Sequence, residues 1–210
     1  MEYGKRTVED FLIALSGKDP APGGGGACAL AGAIGASLGN MVGSLTVGKA
    51  KYAAVEPQLR ACMDKAMALR DRLMRAMDAD AEAFLPLAEA YRMPTETEEQ
   101  RANKAAAMEP ALKEAATVPL SVAEDCCEAL ALMEEFAALG SPLVVSDAGV
   151  GAALCRAALT GAAMNVWINT KLMTDRTYAE SVNARLAELL RTYTNKADAI
   201  IDAVSNKLQR

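Results

Sequence analysis

Between Asp19 and Lys49 the chain carries no charged residue, and the stretch from Pro20 to Gly48 divides into two parts. PAPGGGG reads as a loop, because two prolines fix φ and Gly23 to Gly26 reach conformations closed to other residues. ACALAGAIGASLGNMVGSLTVG is almost wholly Ala, Gly, Ser and Leu, with glycines at 32, 35, 39 and 43. It reads as a helix whose neighbours come close to its backbone, so the rest of the chain is organised around it. A glycine loop feeding a helix N-terminus also offers free N–H groups and a positive dipole end, which suit an anion. The alternative is a hinge leading into a tightly packed central helix.

The core that surrounds this helix must be built from Ala, Leu, Met and Val, since 52% of residues are hydrophobic but only 4% aromatic. Few β-branched and aromatic residues favour helices over sheets. The predicted fold is all-α: a bundle of six to nine helices, some long and kinked, around the buried Gly/Ala-rich helix. Residues 1–210 read as one domain. The uncharged run is long enough for a membrane span, yet only weakly hydrophobic, and no other segment resembles one; a buried helix is expected, with no membrane partner. A net charge of −5 and the lack of a Lys/Arg-rich block argue against nucleic acid. Five cysteines without CxxC spacing, and no signal peptide, read as reduced cytosolic thiols, hence a cytoplasmic location.

Along the chain, Thr7 with Asp10 predicts a short helix to Ser16 with Phe11, Leu12 and Leu15 inward. A long helix follows from Pro57 to Tyr91, striped by Leu59, Met63, Ala66, Leu69, Leu73, Met77, Phe84, Leu87 and Tyr91, with a kink or break at Pro86. Thr95 with Glu98 predicts the next N-terminus, and Pro110 and Pro119 predict bends or a break before a segment from Leu120 to Leu139. Ser146 or Asp147 should cap a helix to Met173, with Val150, Leu154, Ala158, Gly161, Asn165, Ile168 and Leu172 inward. Thr174 or Asp175 should cap the last helix, striped by Tyr178, Val182, Leu186, Leu189, Tyr193, Ala197, Ile200, Val204 and Leu208.

The chain contains no histidine. Imidazole metal sites and Ser–His or Cys–His pairs are therefore excluded, and acid–base chemistry falls to carboxylates, Lys, Tyr or Cys. Asp80 lies about 60° from Met77 and about 40° from Phe84 on the helical wheel, so it sits on the apolar stripe, while Asp78 turns away toward solvent. A carboxylate on a buried face is either paired in the core or functional. Asn165 and Asn169 share a helix face and could hold a planar heterocycle or bridge two helices. Asp147 and Asp175 read most simply as caps, with a site role as the alternative. Lys49, Lys51 and Tyr52 leave the small-residue helix and could place a cation near a shared pocket, or be plain surface. Cys126-Cys127 lacks a base and reads as packing. The glycines lack a Walker ending and follow no strand, which removes those nucleotide-binding routes.

The ordered set Pro-x-Pro-Gly-Gly-Gly, the Gly/Ala helix, Val47-Gly-Lys-Ala-Lys-Tyr52, Asp78-Ala-Asp-Ala-Glu-Ala-Phe84 and Asn165-Val-Trp-Ile-Asn169 with Asp175 resembles the formiminotransferase-cyclodeaminase C-terminal family, which includes stand-alone methenyltetrahydrofolate cyclohydrolases. The resemblance covers nearly the whole chain. It implies an all-helical homodimer acting on a tetrahydrofolate one-carbon derivative, with a catalytic Asp that maps to Asp80, the residue the helical wheel selects. It also implies substrate binding by Gly23, Gly24, Gly25, Lys51, Tyr52, Asn165, Asn169, Asp147 and Asp175, with no cofactor and no metal. Two departures stand out: Gly26 replaces a Ser found in many relatives, and Trp167 replaces an aliphatic residue.

Such a site would hydrolyse methenyltetrahydrofolate to formyltetrahydrofolate, Asp80 serving as base, the asparagines holding the pterin or bridging group, and the glycine loop or Lys51 the glutamate carboxylates. The alternatives are formiminotetrahydrofolate cyclodeaminase activity, which releases ammonia through a similar tetrahedral carbon, and a non-catalytic helical interaction protein.

Overall fold

The computed structural model describes residues 2–209 and contains six α-helices and three short 3-10 turns, with no strand among the described residues. The helices are α1 (Val8–Leu15), α2 (Gly24–Ser44), α3 (Glu56–Arg92), α4 (Glu98–Leu139), α5 (Val145–Thr170) and α6 (Arg176–Leu208). α2 packs on α3, α4 and α5, α4 also packs on α3, α5 and α6, and α5 packs on α6. The all-α expectation holds, with the small-residue helix inside the bundle.

Local chemistry sets most boundaries. The Thr7 side chain accepts from Asp10 N–H at the head of α1, and Ser16 closes it. Pro57 occupies the first turn of α3, where its missing N–H costs nothing. The capping box of α4 is Thr97 with Gln100, not Thr95 with Glu98: Thr97 Oγ1 accepts from Gln100 N–H, and Gln100 Oε1 accepts from Thr97 N–H. Asp175 caps α6 by accepting from Tyr178 N–H at 3.0 Å. α5 begins at Val145, so Ser146 and Asp147 lie in its first turn rather than at the cap.

Two expectations fail: the four-glycine loop, and the outright break that was the alternative to a bend at each proline. Gly24 to Gly26 belong to α2 instead of the loop, with Gly23 as N-cap, and α3 and α4 run unbroken through Pro86, Pro110 and Pro119. Propensity penalties of this kind are overridden when the flanking turns bury enough apolar surface. Both sides of each break point do so: Met77, Ala81, Leu87 and Ala90 are buried on α3, and Leu112, Ala116, Val122 and Leu130 on α4.

The main core gathers Leu59, Leu69 and Leu73 of α3, Leu130, Met133 and Phe136 of α4, Leu159 of α5 and Leu186 of α6, all fully buried. Each such side chain contributes about 1.5–3 kcal/mol relative to exposure. The glycines of α2 let this core close around it. A Cβ on Gly35 would lie 3.0 Å from the Gly151 carbonyl and closer still to Cys155 Sγ, and one on Gly39 would fall 2.8 Å from the Phe136 ring.

Not every predicted inward position is inward. Leu12, Tyr91 and Leu208 are exposed, as are Val150, Ile168 and Leu172 of α5. α5 also revises the span count, because Pro142–Thr170 joins Gly24–Ser44 in being long and apolar enough to cross a membrane by length and composition. About half of each such window is buried within the bundle.

Candidate active site

α2 and α5 run antiparallel, which brings the first turn of α2 against the last turns of α5. A Cβ on Gly24 would touch the Asn165 amide at 3.2 Å. The middle of α3 closes the third side and delivers Asp80. Its neighbours Met77 and Ala81 are buried, and its carboxyl lies against the opening turn of α2, where Gly26 N–H donates to Asp80 Oδ2 at 3.0 Å. Burial pushes the Asp80 carboxyl above its ordinary value, and the Gly26 N–H pulls the other way. The helix placing of Asp80 follows the wheel. Asp78, expected in solvent, is instead half-buried and accepts from Tyr3 N–H at 2.6 Å, tying the N-terminal turn to α3.

A cavity of about 190 Å³ opens before the carboxyl. Gly23, Gly24 and Gly25 at the head of α2 form one wall, Asn165, Ile168 and Asn169 of α5 another, and Ala81 and Phe84 of α3 and Pro119 of α4 are among the residues that close it. Six of the sequence-selected residues thus meet at one place: Asp80, the three glycines and both asparagines. No Lys or Arg lines this cavity among the described residues.

The two amides differ in what they do. Asn165 Nδ2 donates to the Gly161 carbonyl of its own helix at 2.9 Å, and its side chain faces Gly24. Asn169 is buried, and its two N–H groups donate to the carbonyls of Ala115 (3.0 Å) and Asn165 (2.9 Å). Ala115 stands four residues before Pro119, which has no N–H to give it. Asn169 therefore supplies the donor that Pro119 withholds. Sequence reasoning reads Pro119 as a bend or a break and does not place it in the site; the signal is the buried amide that a proline's orphan carbonyl requires.

Four sequence-selected residues do not line the cavity. Lys51 and Tyr52 follow the C-terminal end of α2, about 30 Å from Gly24 at the helical rise. Asp147 lies eighteen residues before Asn165 on α5, about 27 Å away. Asp175 is at the cavity's end of the bundle but is occupied as the α6 cap and as the partner of Lys113 Nζ at 2.6 Å, which holds its carboxyl below the usual value.

Cys28 lies near Asp80. Burial and the Asp80 charge raise its thiol to about 11, so it stays protonated and is no nucleophile at neutral pH. Cys127 and Cys155 are raised to about 12 by burial, consistent with packing roles, and all five cysteines are free.

A desolvated carboxylate thus stands between a helix N-terminus and two amides, on a helical frame without histidine. The chain belongs to the formiminotransferase-cyclodeaminase family, whose profile matches residues 7–188. It is 40% identical to a methenyltetrahydrofolate cyclohydrolase of Methylorubrum extorquens over 98% of this chain and 99% of that protein. It is 31% identical to the formimidoyltransferase-cyclodeaminase of Mus musculus over 94% of this chain but only 37% of the mouse protein. A formiminotetrahydrofolate cyclodeaminase of Thermotoga maritima has the same fold, with a TM-score of 0.80 at 27% identity, covering 98% of this chain and 96% of that one.

Proposed function

We propose that this protein hydrolyses methenyltetrahydrofolate to formyltetrahydrofolate, with Asp80 as the base. The observation that carries the reading is the Asp80 carboxyl, raised by burial and aimed into a cavity walled by bare backbone and amides. The full-length match to a cyclohydrolase, against a one-third match to the bifunctional mouse protein, favours this member of the family's chemistry.

The substrate's methenyl carbon bridges two nitrogens and carries a delocalised positive charge, so it is electrophilic without further activation. Water attacks that carbon and passes one proton to Asp80. The neutral tetrahedral adduct collapses as Asp80 returns that proton to the departing ring nitrogen. The C–N bond breaks, the remaining hydroxyl becomes the formyl carbonyl, and its proton leaves to solvent. Overall, cation plus water gives neutral product plus one proton. An ionised Asp80 also stabilises the cationic substrate in a water-poor site. The chemistry calls for no cofactor beyond the substrate. Asn165 offers an amide to the ring system, and Asn169 holds the wall behind it.

The likeness to a formiminotetrahydrofolate cyclodeaminase over nearly the whole of both chains favours a second reading, in which ammonia leaves an equivalent tetrahedral carbon. One experiment separates them: follow methenyltetrahydrofolate absorbance and, in parallel, ammonia release from formiminotetrahydrofolate, with wild type and Asp80→Asn. Turnover of the first substrate alone, lost in Asp80→Asn, is expected. Near-wild-type turnover by Asp80→Asn on both would refute the mechanism.

A further inference from the structure

Asn169 does more than hold the cavity wall, because its amide is fixed in one sense. Nδ2 donates to the carbonyls of Ala115 at 3.0 Å and Asn165 at 2.9 Å, which occupies both of its N–H groups. A carbonyl accepts only from a donor, so turning the amide over would set Oδ1 against two oxygens. Oδ1 therefore points away from both carbonyls, and it receives no hydrogen bond among the described residues. Nor is it sealed in the core, since it is not one of the enclosed side-chain atoms that lack a partner. Asn169 is only 8% exposed and lines the Asp80 cavity, so the cavity is where Oδ1 is reached.

Pro119 is what holds the amide this way round. Ala115 and Pro119 are both buried, and the Ala115 carbonyl lacks the N–H that residue 119 would otherwise give it. Asn169 Nδ2 is the donor that answers it. Pro110 supplies the contrast on the same helix: its orphan carbonyl belongs to Ala106, an exposed residue, where water serves and no amide is needed. The Pro119 ring also lines the cavity. One residue thus sets both an apolar wall and the direction of the oxygen beside it.

The other polar side chains of the lining are less particular. Asp80 Oδ2 takes the Gly26 N–H, and its Oδ1 is left to the reaction. Asn165 gives one N–H to the Gly161 carbonyl and keeps its other N–H and its Oδ1, so it serves a donor or an acceptor. Asn169 offers acceptance alone. It is also the most deeply set, buried where Asp80 and Asn165 are half-buried. The end of a folate that enters first is the pterin, since the glutamate end is anionic and no Lys or Arg lines the cavity among the described residues. With the bridging carbon at Asp80, the far edge of the pterin reaches deeper. That edge carries an exocyclic amine whose lone pair is delocalised into the ring, so it donates and scarcely accepts.

We propose that Asn169 Oδ1 accepts a hydrogen bond from this pterin amine, and that Pro119 is the positioning residue that keeps the oxygen turned toward it. The assignment rests on the folate reading above. It makes the buried end of the cavity a reader of the amine: a pterin with a methyl group in its place leaves Oδ1 facing an apolar group without a donor.

The test compares tetrahydrofolate with its analogue in which a methyl group replaces that amine, by isothermal titration of wild type, Asn169→Leu and Pro119→Ala. Wild type should bind the analogue about 10- to 100-fold more weakly. Asn169→Leu should weaken tetrahydrofolate and bind the two compounds within about threefold of each other. Pro119→Ala returns an N–H to Ala115 and slackens the amide, so its discrimination should fall at least about threefold below wild type. The ratio is read rather than the affinity, because loss of the proline ring weakens both compounds alike. A Pro119 that only shaped the helix would shift the melting temperature and leave the ratio unchanged. Should Asn169→Leu fail to fold, Asn169→Leu with Pro119→Ala takes its place, since Ala115 there has its N–H back. Equal binding of both compounds by wild type, or wild-type discrimination without Asn169, overturns the assignment of the oxygen while the folate reading stands. Undiminished discrimination in Pro119→Ala overturns the positioning role. A wild type that binds neither compound overturns the folate reading and this assignment with it.

Discussion

Gly25 and Asp80 are packed so closely that a methyl group has no room between them. A Cβ on Gly25 would lie 2.6 Å from Asp80 Oδ2 and closer still to Oδ1 and Cγ. The carboxyl therefore rests on bare backbone at the positive end of α2, held by Gly26 N–H at 3.0 Å. The missing side chain matters here for approach rather than for φ.

Gly25→Ala should accordingly act as an active-site substitution although it adds a single methyl group. The carboxyl has to rotate away from its place, and misplacement of about 1 Å costs roughly 100-fold in rate. Gly23→Ala is the control, because nothing lies within 4 Å of a Cβ there and the backbone is extended. It should lose less than about 1 kcal/mol of stability, as expected at an N-cap, and keep most of its activity. Steady-state kinetics and thermal melts of the pair check this; equal activity loss in both would refute the packing argument.

Asp78 and Asp80 should separate stability from catalysis. Asp78 accepts from Tyr3 N–H, so Asp78→Ala should loosen the N-terminal turn and lower Tm while leaving kcat close to wild type. Asp80→Asn preserves volume and an acceptor for Gly26 N–H, so it should fold well and lose turnover by at least 100-fold. Amide hydrogen exchange at residues 3–6, set beside kcat, distinguishes the two. A Asp78→Ala protein as inactive as Asp80→Asn would contradict the assignment.

Acid should affect stability and turnover in opposite senses at Asp80. Burial raises its folded pKa above the ordinary 3.8, so the folded state binds that proton more tightly than the unfolded chain does. The stabilisation from a protonated Asp80 is full below 3.8 and is lost as pH rises through the raised value. The catalytic base is the carboxylate, so activity should fall as pH drops through that same value, with its midpoint above 3.8. Asp80→Asn should melt higher than wild type at neutral pH, and the gap should close in acid. Asp175 and Glu109 are lowered, chiefly by bonds from Lys113 and Thr174, so their contributions run the other way and fade in acid. Melts of both proteins across the acid range resolve the sign; a gap that widens in acid would contradict it.

The legible part of this chain is what helical period and residue size encode directly. The wheel places Asp80 on the stripe of Met77 and Ala81 but misses the half-burial of Asp78, which comes from the docked N-terminal turn, and the glycine spacing of α2 marks a helix that others approach closely. Proline signals do not decide between a bend and a break, since they report local cost while long flanking surfaces decide whether α3 and α4 continue. The α5 stripe is misassigned because period shows that a face is apolar without showing what covers it: Val150 and Ile168 point outward. Lys51, Tyr52 and Asp147 are near the site in motif order but not in space, because a 21-residue helix separates ends that a sequence motif places side by side.

Asn169 and Pro119 give the sharpest test of how the cavity wall is held. Asn169→Ala leaves the Ala115 carbonyl buried without a donor, at a cost of about 1–3 kcal/mol. Asn165→Ala loses a bond only to the Gly161 carbonyl of its own helix, so its cost should stay under about 1 kcal/mol while KM rises. Pro119→Ala restores an N–H that Ala115 can use. In that background the second N–H bond, to the Asn165 carbonyl, is the only one that Asn169→Ala still removes without replacement. The penalty of Asn169→Ala should therefore shrink by about 1 kcal/mol when Pro119→Ala is present, a coupling that a double-mutant cycle of denaturant unfolding measures directly. Strict additivity would mean that the amide does not answer the proline, and that the wall of the Asp80 cavity is kept in place by packing alone.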